Sequence, residues 1–284
     1  MLYTCHDICR CIDAYAPPDF AEAGDPVGLH AGSAAKVVDR LFLALGLTPD
    51  VLEEALAFAA DMIVVHHTPF YSPIRQLTED DRGNHTVLEL VRRGIALYTA
   101  HTNLDSVKGG VSDVLAGLLG LQDVEILQPL DASADASTDA SAGTSADGSC
   151  YPGIDHAGLG RIGTLQMPMT LEGFARFAAE KLGTRGLRFV GSRDQSVYRV
   201  ACCGGAGAYL QAVALAKGAD TYVTADVKHH DGIQALESGL GLVDAGHFAT
   251  ESPIMPVLAA YLQERLPDLT IGLSARSGDP FTVV

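Results

Sequence analysis

The sequence predicts an α/β fold, with two α/β lobes whose mainly parallel sheets are flanked by helices around a cleft. Short β-branched apolar runs such as Met62-Ile63-Val64-Val65 alternate along the chain with stretches of helical periodicity. Strands separated by helices pair in parallel through crossover connections, which gives the class. A chain of 284 residues with 48% hydrophobic side chains can bury a sizeable core, as one large domain or two modest ones, so a disordered polypeptide is excluded for most of its length.

The first lobe opens with a helix from Leu2 to Tyr15, ended by Pro17 and Pro18. Val37 to Leu45 reads as a strand. Pro49 to Ala60 is helical, capped by Thr48, with Glu53 and Glu54 on its outer side. Met62 to Val65 is a buried strand, His85 to Arg93 a helix, Ile95 to Ala100 a strand, and Val111 to Leu119 a helix closed by Gly120. In the second lobe, Gly160 to Gln166 and Val197 to Cys203 are strands around a helix from Thr170 to Leu182 that Gly183 caps. A helix from Tyr209 to Lys217, a strand Thr221 to Thr224, a helix Gly232 to Ser238 and a strand Leu240 to Asp244 follow. The last helix runs from about Ser252 to Arg265.

One segment breaks the globular composition. Asp131 to Ser149 is almost entirely Asp, Ala, Ser, Thr and Gly, so it cannot bury enough surface to offset its ordering entropy. The predicted organisation is a first lobe over 1–130 completed by 243–284, a flexible linker over 131–150, and a second lobe over 151–242.

Lys and Arg total 19 against 35 Asp and Glu, a formal charge of -16 that repels polyphosphate backbones and anionic membranes. Duplex nucleic acid and membrane surfaces are therefore excluded as partners. The six cysteines, at 5, 9, 11, 150, 202 and 203, contain no Cys-x-x-Cys and no disulfide framework. Cys5 and Cys9, one helical turn apart, and Cys202 and Cys203 read as small packing residues. The start lacks a basic region followed by an apolar stretch, and no apolar run approaches the ~20 residues of a membrane span. These features predict a cytoplasmic protein.

Open α/β sheets place ligands beyond the carboxyl ends of their strands, so chemistry is sought at strand exits. Met62 to Val65 runs into His66-His67. Ile95 to Ala100 runs into His101-Thr102-Asn103-Leu104-Asp105. Leu242-Val243-Asp244-Ala245-Gly246 runs into His247 and, one helical turn later, Glu251. A lone His after a strand is usually a capping or solvated residue, but the chain has only 10 His and four of them collect, with two carboxylates, at three exits. This concentration predicts a metal-binding cleft. Five ligands, His66, His67, Asp105, His247 and Glu251, exceed the usual three of a mononuclear catalytic site and suggest two ions. Imidazole and carboxylate without thiolate favour Zn, Fe, Mn, Co or Ni over Ca or Mg.

Several motifs, in order, resemble those of the dinuclear-metal-centre hexamer family, the GTP cyclohydrolase 1 type 2 homologues. They are Gly28-Leu29, His66-His67-Thr68-Pro69, His101 to Asp105, Gly109-Gly110-Val111, Gly204-Gly205-Ala206-Gly207, Thr224 to Asp231, and Gly246-His247-Phe248-Ala249-Thr250-Glu251. The resemblance implies a two-lobe subunit, a toroidal homohexamer, and a two-metal site held by His66, His67, Asp105, His247 and Glu251. Two departures stand out. Asp25-Pro26-Val27-Gly28-Leu29 has Pro26 where the family has Asn, and Thr224-Ala225-Asp226 has Ala225 where it has Gly.

The predicted function is metal-dependent hydrolysis of cyclohydrolase type on a purine nucleotide or related small molecule, with a dinuclear phosphoesterase and a non-catalytic hexameric scaffold as alternatives. His101, whose chain continues into Asp105, and His230, singled out with Asp231 by the resemblance, are the catalytic candidates for proton transfer. The turn Cys203 to Gly207 reads either as a tight turn or as backbone N–H groups approaching an anion. It lacks the spacing of a P-loop, and no Gly-x-Ser-x-Gly elbow supports serine hydrolysis.

Overall fold

A computed structural model of the chain describes residues 2–72, 74, 77–79, 82–130 and 157–283. The predicted linker, 131–150, lies outside the described residues, as does Cys150. In chain order the strands and helices are β1 (Tyr3–Thr4), α1 (Cys5–Tyr15), β2 (Gly28–Ala31), β3 (Val37–Val38), β4 (Arg40–Gly46), α2 (Pro49–Ala57), β5 (Met62–His67), α3 (Arg82–Arg92), β6 (Ala96–Thr99) and α4 (Thr102–Ser106). There follow α5 (Val111–Leu118), β7 (Gln122–Pro129), β8 (Gly158–Thr170), α6 (Leu171–Leu182), β9 (Arg188–Val190), β10 (Ser196–Cys202), α7 (Gln211–Ala216), β11 (Thr221–Thr224), α8 (His229–Ser238), β12 (Gly241–Asp244) and α9 (His247–Glu251). The last two are α10 (Ile254–Arg265) and β13 (Thr270–Leu273).

These elements form two compact units, Met1–Leu104 with Ile254–Gly278, and Asp105–Pro253 with Asp279–Val284. The first holds a sheet in the order β13-β4-β5-β6-β2, parallel throughout except for β2, which runs antiparallel to β6. β4, β5 and β6 are apolar runs buried along nearly their whole length, as strands covered on both faces require. Phe42, Ala44, Ile63, Val65 and Leu97 of the sheet pack with Val51, Leu52 and Ala55 of α2 and Leu90 of α3. α1 buries Cys5, Ile8 and Ile12 on one stripe, and Thr4 caps it by accepting from the Asp7 N–H.

The second unit holds a six-stranded sheet in the order β7-β8-β10-β11-β12-β9. Here the expectation of mainly parallel sheets fails. Only β10/β11 and β11/β12 are parallel, whereas β7/β8, β8/β10 and β12/β9 are antiparallel. The molecule is thus an α/β protein with mixed sheets. Successive side chains of its central strands point to opposite faces. Val200, Cys202, Val223 and Val243 join Leu115, Leu165 and Phe174 on one side, while Ala201, Cys203, Tyr222 and Leu242 join Leu127, Leu210 and Ala235 on the other. Cys202 and Cys203 are accordingly core residues, and the five described cysteines are all free.

The observed boundaries differ from those read in the sequence, 1–130 with 243–284 and 151–242. The stretch from Asp105 to Leu130 belongs to the second unit because β7 pairs with β8 and because Leu115 and Ala116 of α5, with Leu119 just beyond it, enter the same core as Phe174 of α6. β12 joins it by pairing with β11. No described helix is long and apolar enough to cross a membrane.

Candidate metal centre

β5 delivers His66 and His67 at its carboxyl end, and Val65 lies in register with Thr99 on β6, two residues before His101. The sheet therefore brings two strand exits side by side. His66, His67 and His101 each offer a ring nitrogen within 4.8 Å of the others. His66 is fully buried, and its Nδ1 lies 2.8 Å from the Ala100 carbonyl oxygen. A carbonyl only accepts, so the proton sits on Nδ1 and the lone pair on Nε2.

His101 is fixed in the same way by a different acceptor. Its Nδ1 donates to Asp25 Oδ1 at 2.8 Å, while Asp25 Oδ2 accepts from the backbone N–H of Thr102 at 3.0 Å and from the Thr102 hydroxyl. Burial pushes the Asp25 carboxyl up, but the hydrogen bonds from His101 and Thr102 outweigh burial and hold it at about 2. Pro26, which follows, accepts from His30 through its carbonyl at 3.3 Å.

The second unit carries the other candidates. His247 and Glu251 are the first and last residues of α9, one turn apart, with His247 Nε2 3.0 Å from Glu251 Oε2. Asp226 Oδ2 lies 2.8 Å from His247 Nδ1. The Glu251 hydrogen bond, with the charges of Glu251 and Asp226, outweighs burial and pushes the His247 imidazole up to about 9. An imidazole nitrogen and a carboxylate oxygen this close together are donors of the kind a transition-metal cation takes.

The glycine-rich turn after β10 makes room for this pair. At Gly205, where φ is +62°, a Cβ would collide with Glu251 Oε1 and lie 3.2 Å from His247 Nε2. The Gly205 N–H donates to Thr250 Oγ1 and the Gly207 N–H to Thr224 Oγ1, so these two donors are spent inside the fold and not on an anion.

Asp105 lies on α4, four residues after His101. Both Asp105 and Glu251 raise the Cys203 thiol, which burial foremost pushes up to about 12. Cys203 therefore stays protonated, and the donors gathered in each unit are imidazole nitrogen and carboxylate oxygen, a set that fits Zn, Fe, Mn, Co or Ni. His230 is exposed on the first turn of α8, its ring against His229 at 5.6 Å, and Asp231 caps that helix by accepting from the Lys228 N–H.

Three further residues matter here. Asp25 and Asp226 hold the imidazoles. Arg161, almost fully buried in β8, donates to the carbonyls of Ser106 and Val107, directly after Asp105, and to Asp113 at 2.7 Å. Each reaches a partner remote in sequence; Asp25 and Asp226 stand in the two motifs that depart from the family pattern, whereas no motif pointed to Arg161.

Fold and side chains together define an α/β protein with mixed sheets and His, Asp and Glu clusters able to bind metal ions. The chain belongs to the Duf34/NIF3 (NGG1p interacting factor 3) family, whose model matches residues 3–280. It is 31% identical to a GTP cyclohydrolase 1 type 2 homolog of Clostridium perfringens over 98% of this chain and 99% of the relative. The Streptomyces coelicolor protein of the same description is 32% identical over 97% of this chain and 93% of its own. Among solved structures, a Bacillus cereus protein related to NIF3 superposes with a TM-score of 0.87 at 27% identity, covering 100% of both chains.

Proposed function

We propose that this protein is a metal-dependent hydrolase of cyclohydrolase type, holding two divalent cations with His66, His67, Asp105, His247 and Glu251. The observation that carries the reading is the fixed imidazoles. His66 commits Nδ1 to the Ala100 carbonyl and His101 commits Nδ1 to Asp25, so Nε2 is the basic nitrogen of each ring, and His66, His67 and His101 offer ring nitrogens within 4.8 Å of one another. Two such cations would lower the pKa of bound water towards neutrality and polarise a bound substrate. With four positive charges against two carboxylates, the ligand set would carry a local charge of about +2 that favours an anionic substrate.

The names carried by the relatives support a purine nucleotide as that substrate. For GTP the reaction class is addition of water at C8 of the guanine ring and opening of the imidazole. In that reaction His101 moves the proton, because Asp25 holds its Nδ1 and leaves Nε2 as the exchanging atom. His230, exposed at the start of α8, is the second candidate carrier. The family resemblance adds a toroidal homohexamer.

The test is native mass spectrometry with metal quantification, followed by turnover of GTP and a nucleotide panel by protein loaded with Zn, Fe or Mn. Two ions per subunit, a hexamer, and turnover abolished by His67→Ala are the expected results. Full metal loading without turnover of any substrate would assign a scaffold instead, and release of phosphate without ring opening would assign a phosphoesterase.

A further inference from the structure

We infer that Asp226 is the positioning residue of His247, a role that rests on the metal-centre reading above. Asp226 follows β11 in the Thr224-Ala225-Asp226 motif, and its backbone sits at φ 52°, in the left-handed region that a side chain with a Cβ occupies at a cost. The surroundings enforce that conformation. Asp244, the last residue of β12, accepts from the Val227 N–H at 3.3 Å and from the Gly246 N–H at 3.4 Å, so one carboxylate clamps the residue after Asp226 and the residue before His247. Arg188 of β9 secures the clamp, donating to Asp244 Oδ2 through Nε at 3.0 Å and Nη2 at 2.8 Å, and to the Val227 carbonyl at 2.7 Å.

Within this frame Asp226 Oδ2 receives the His247 Nδ1 proton at 2.8 Å. Asp226 is half exposed and its contact with His247 gives the strained backbone a purpose that packing does not. The carboxylate fixes the ring plane and the tautomer, leaving Nε2, beside Glu251, as the coordinating atom. Strain is thus held where it aims a ligand. A purely structural residue would have been better served by glycine.

That contrast supplies the test. Metal-free wild type, Asp226→Gly, Asp226→Asn and His247→Ala are melted, then titrated with Zn2+ in competition with a chromophoric chelator. Asp226→Gly relieves the left-handed strain while removing the His247 contact, two opposed effects, so its metal-free melting temperature should stay close to wild type while its Zn2+ affinity falls 10- to 100-fold. Asp226→Asn tolerates the backbone and keeps a neutral acceptor, so its affinity should fall less. Wild-type Zn2+ affinity in Asp226→Gly, or a parallel loss of melting temperature and affinity, would overturn the inference. Equal Zn2+ binding by wild type and His247→Ala would instead overturn the metal-centre reading and the inference with it.

Discussion

A single methyl group at position 205 would intrude on the carboxylate of Glu251, and this constraint links backbone to chemistry at the scale of one residue. Gly205 adopts φ +62°, donates to Thr250 Oγ1, and accepts from the Ala225 N–H at 2.8 Å, so it can neither move nor carry a side chain. Gly205→Ala combines left-handed strain with a clash against a buried acid, and it should cost roughly 2 kcal/mol of stability. It should also displace Glu251 and weaken Zn2+ binding. Urea unfolding of metal-free protein and a Zn2+ titration read the two effects, and a variant equal to wild type in both would sink the argument. The sequence showed the Gly cluster but not its task, because Glu251 lies 46 positions further along the chain. The same distance hides Asp25 from His101, 76 residues apart, and Arg161 from Asp113, 48 apart. By contrast the candidate ligands were chosen from local pattern, His66 and His67 at the end of an apolar strand and Asp105, His247 and Glu251 in the short helices that follow two others.

Elements were legible where local pattern suffices. The strand Thr221 to Thr224 is observed as read, and the helices ending at Tyr15 and Leu182 stop where Pro17 and Gly183 direct. Besides the two-residue β1, the strands that escaped, β2, β7, β9 and β13, lie at the sheet edges and are short or exposed: β9 has three residues, and most of β7 faces solvent. Their extended conformation is imposed by a neighbour rather than by composition, which is non-local information. The start of the chain shows the opposite case, a local signal overlooked: Thr4 ends β1 and opens α1, with Asp7 three residues on as a capping box. Thr4→Ala should cost about 1 kcal/mol near neutral pH. The hydrogen bonds from the Thr4 hydroxyl and N–H hold the Asp7 carboxyl below its usual value. Its contribution is therefore complete above the unfolded-state pKa and is lost as pH falls through the lower folded value. Denaturant melts at pH 7 and near pH 3 should show the gap between wild type and Thr4→Ala narrowing in acid. A gap that widens in acid would refute this cap.

At the scale of the whole molecule, the charge of -16 counts the protein alone. Two divalent cations would change it to -12, from -16 + 4, and the change would fall entirely among the ligand residues. The excess of carboxylates that repels nucleic acid and membranes is thus compatible with a small anionic substrate, provided the cations are present. Binding of that kind couples to stability. A cation that binds the folded chain and not the unfolded one stabilises it by about 2.7 kcal/mol at a hundred times its Kd. For a chain of this size each kcal/mol moves the melting temperature by roughly 2–4 °C, so saturating Zn2+ should raise it by roughly 5–10 °C, and a chelator should reverse the rise. His67 sits at the end of β5 with its ring only partly buried, so His67→Ala should melt like wild type when metal-free yet gain little from Zn2+. Calorimetry of both chains with and without Zn2+ separates a ligand from a packing residue. An equal rise in the two chains would remove His67 from the ligand set, and an absent rise in wild type would remove the linkage between cation and fold.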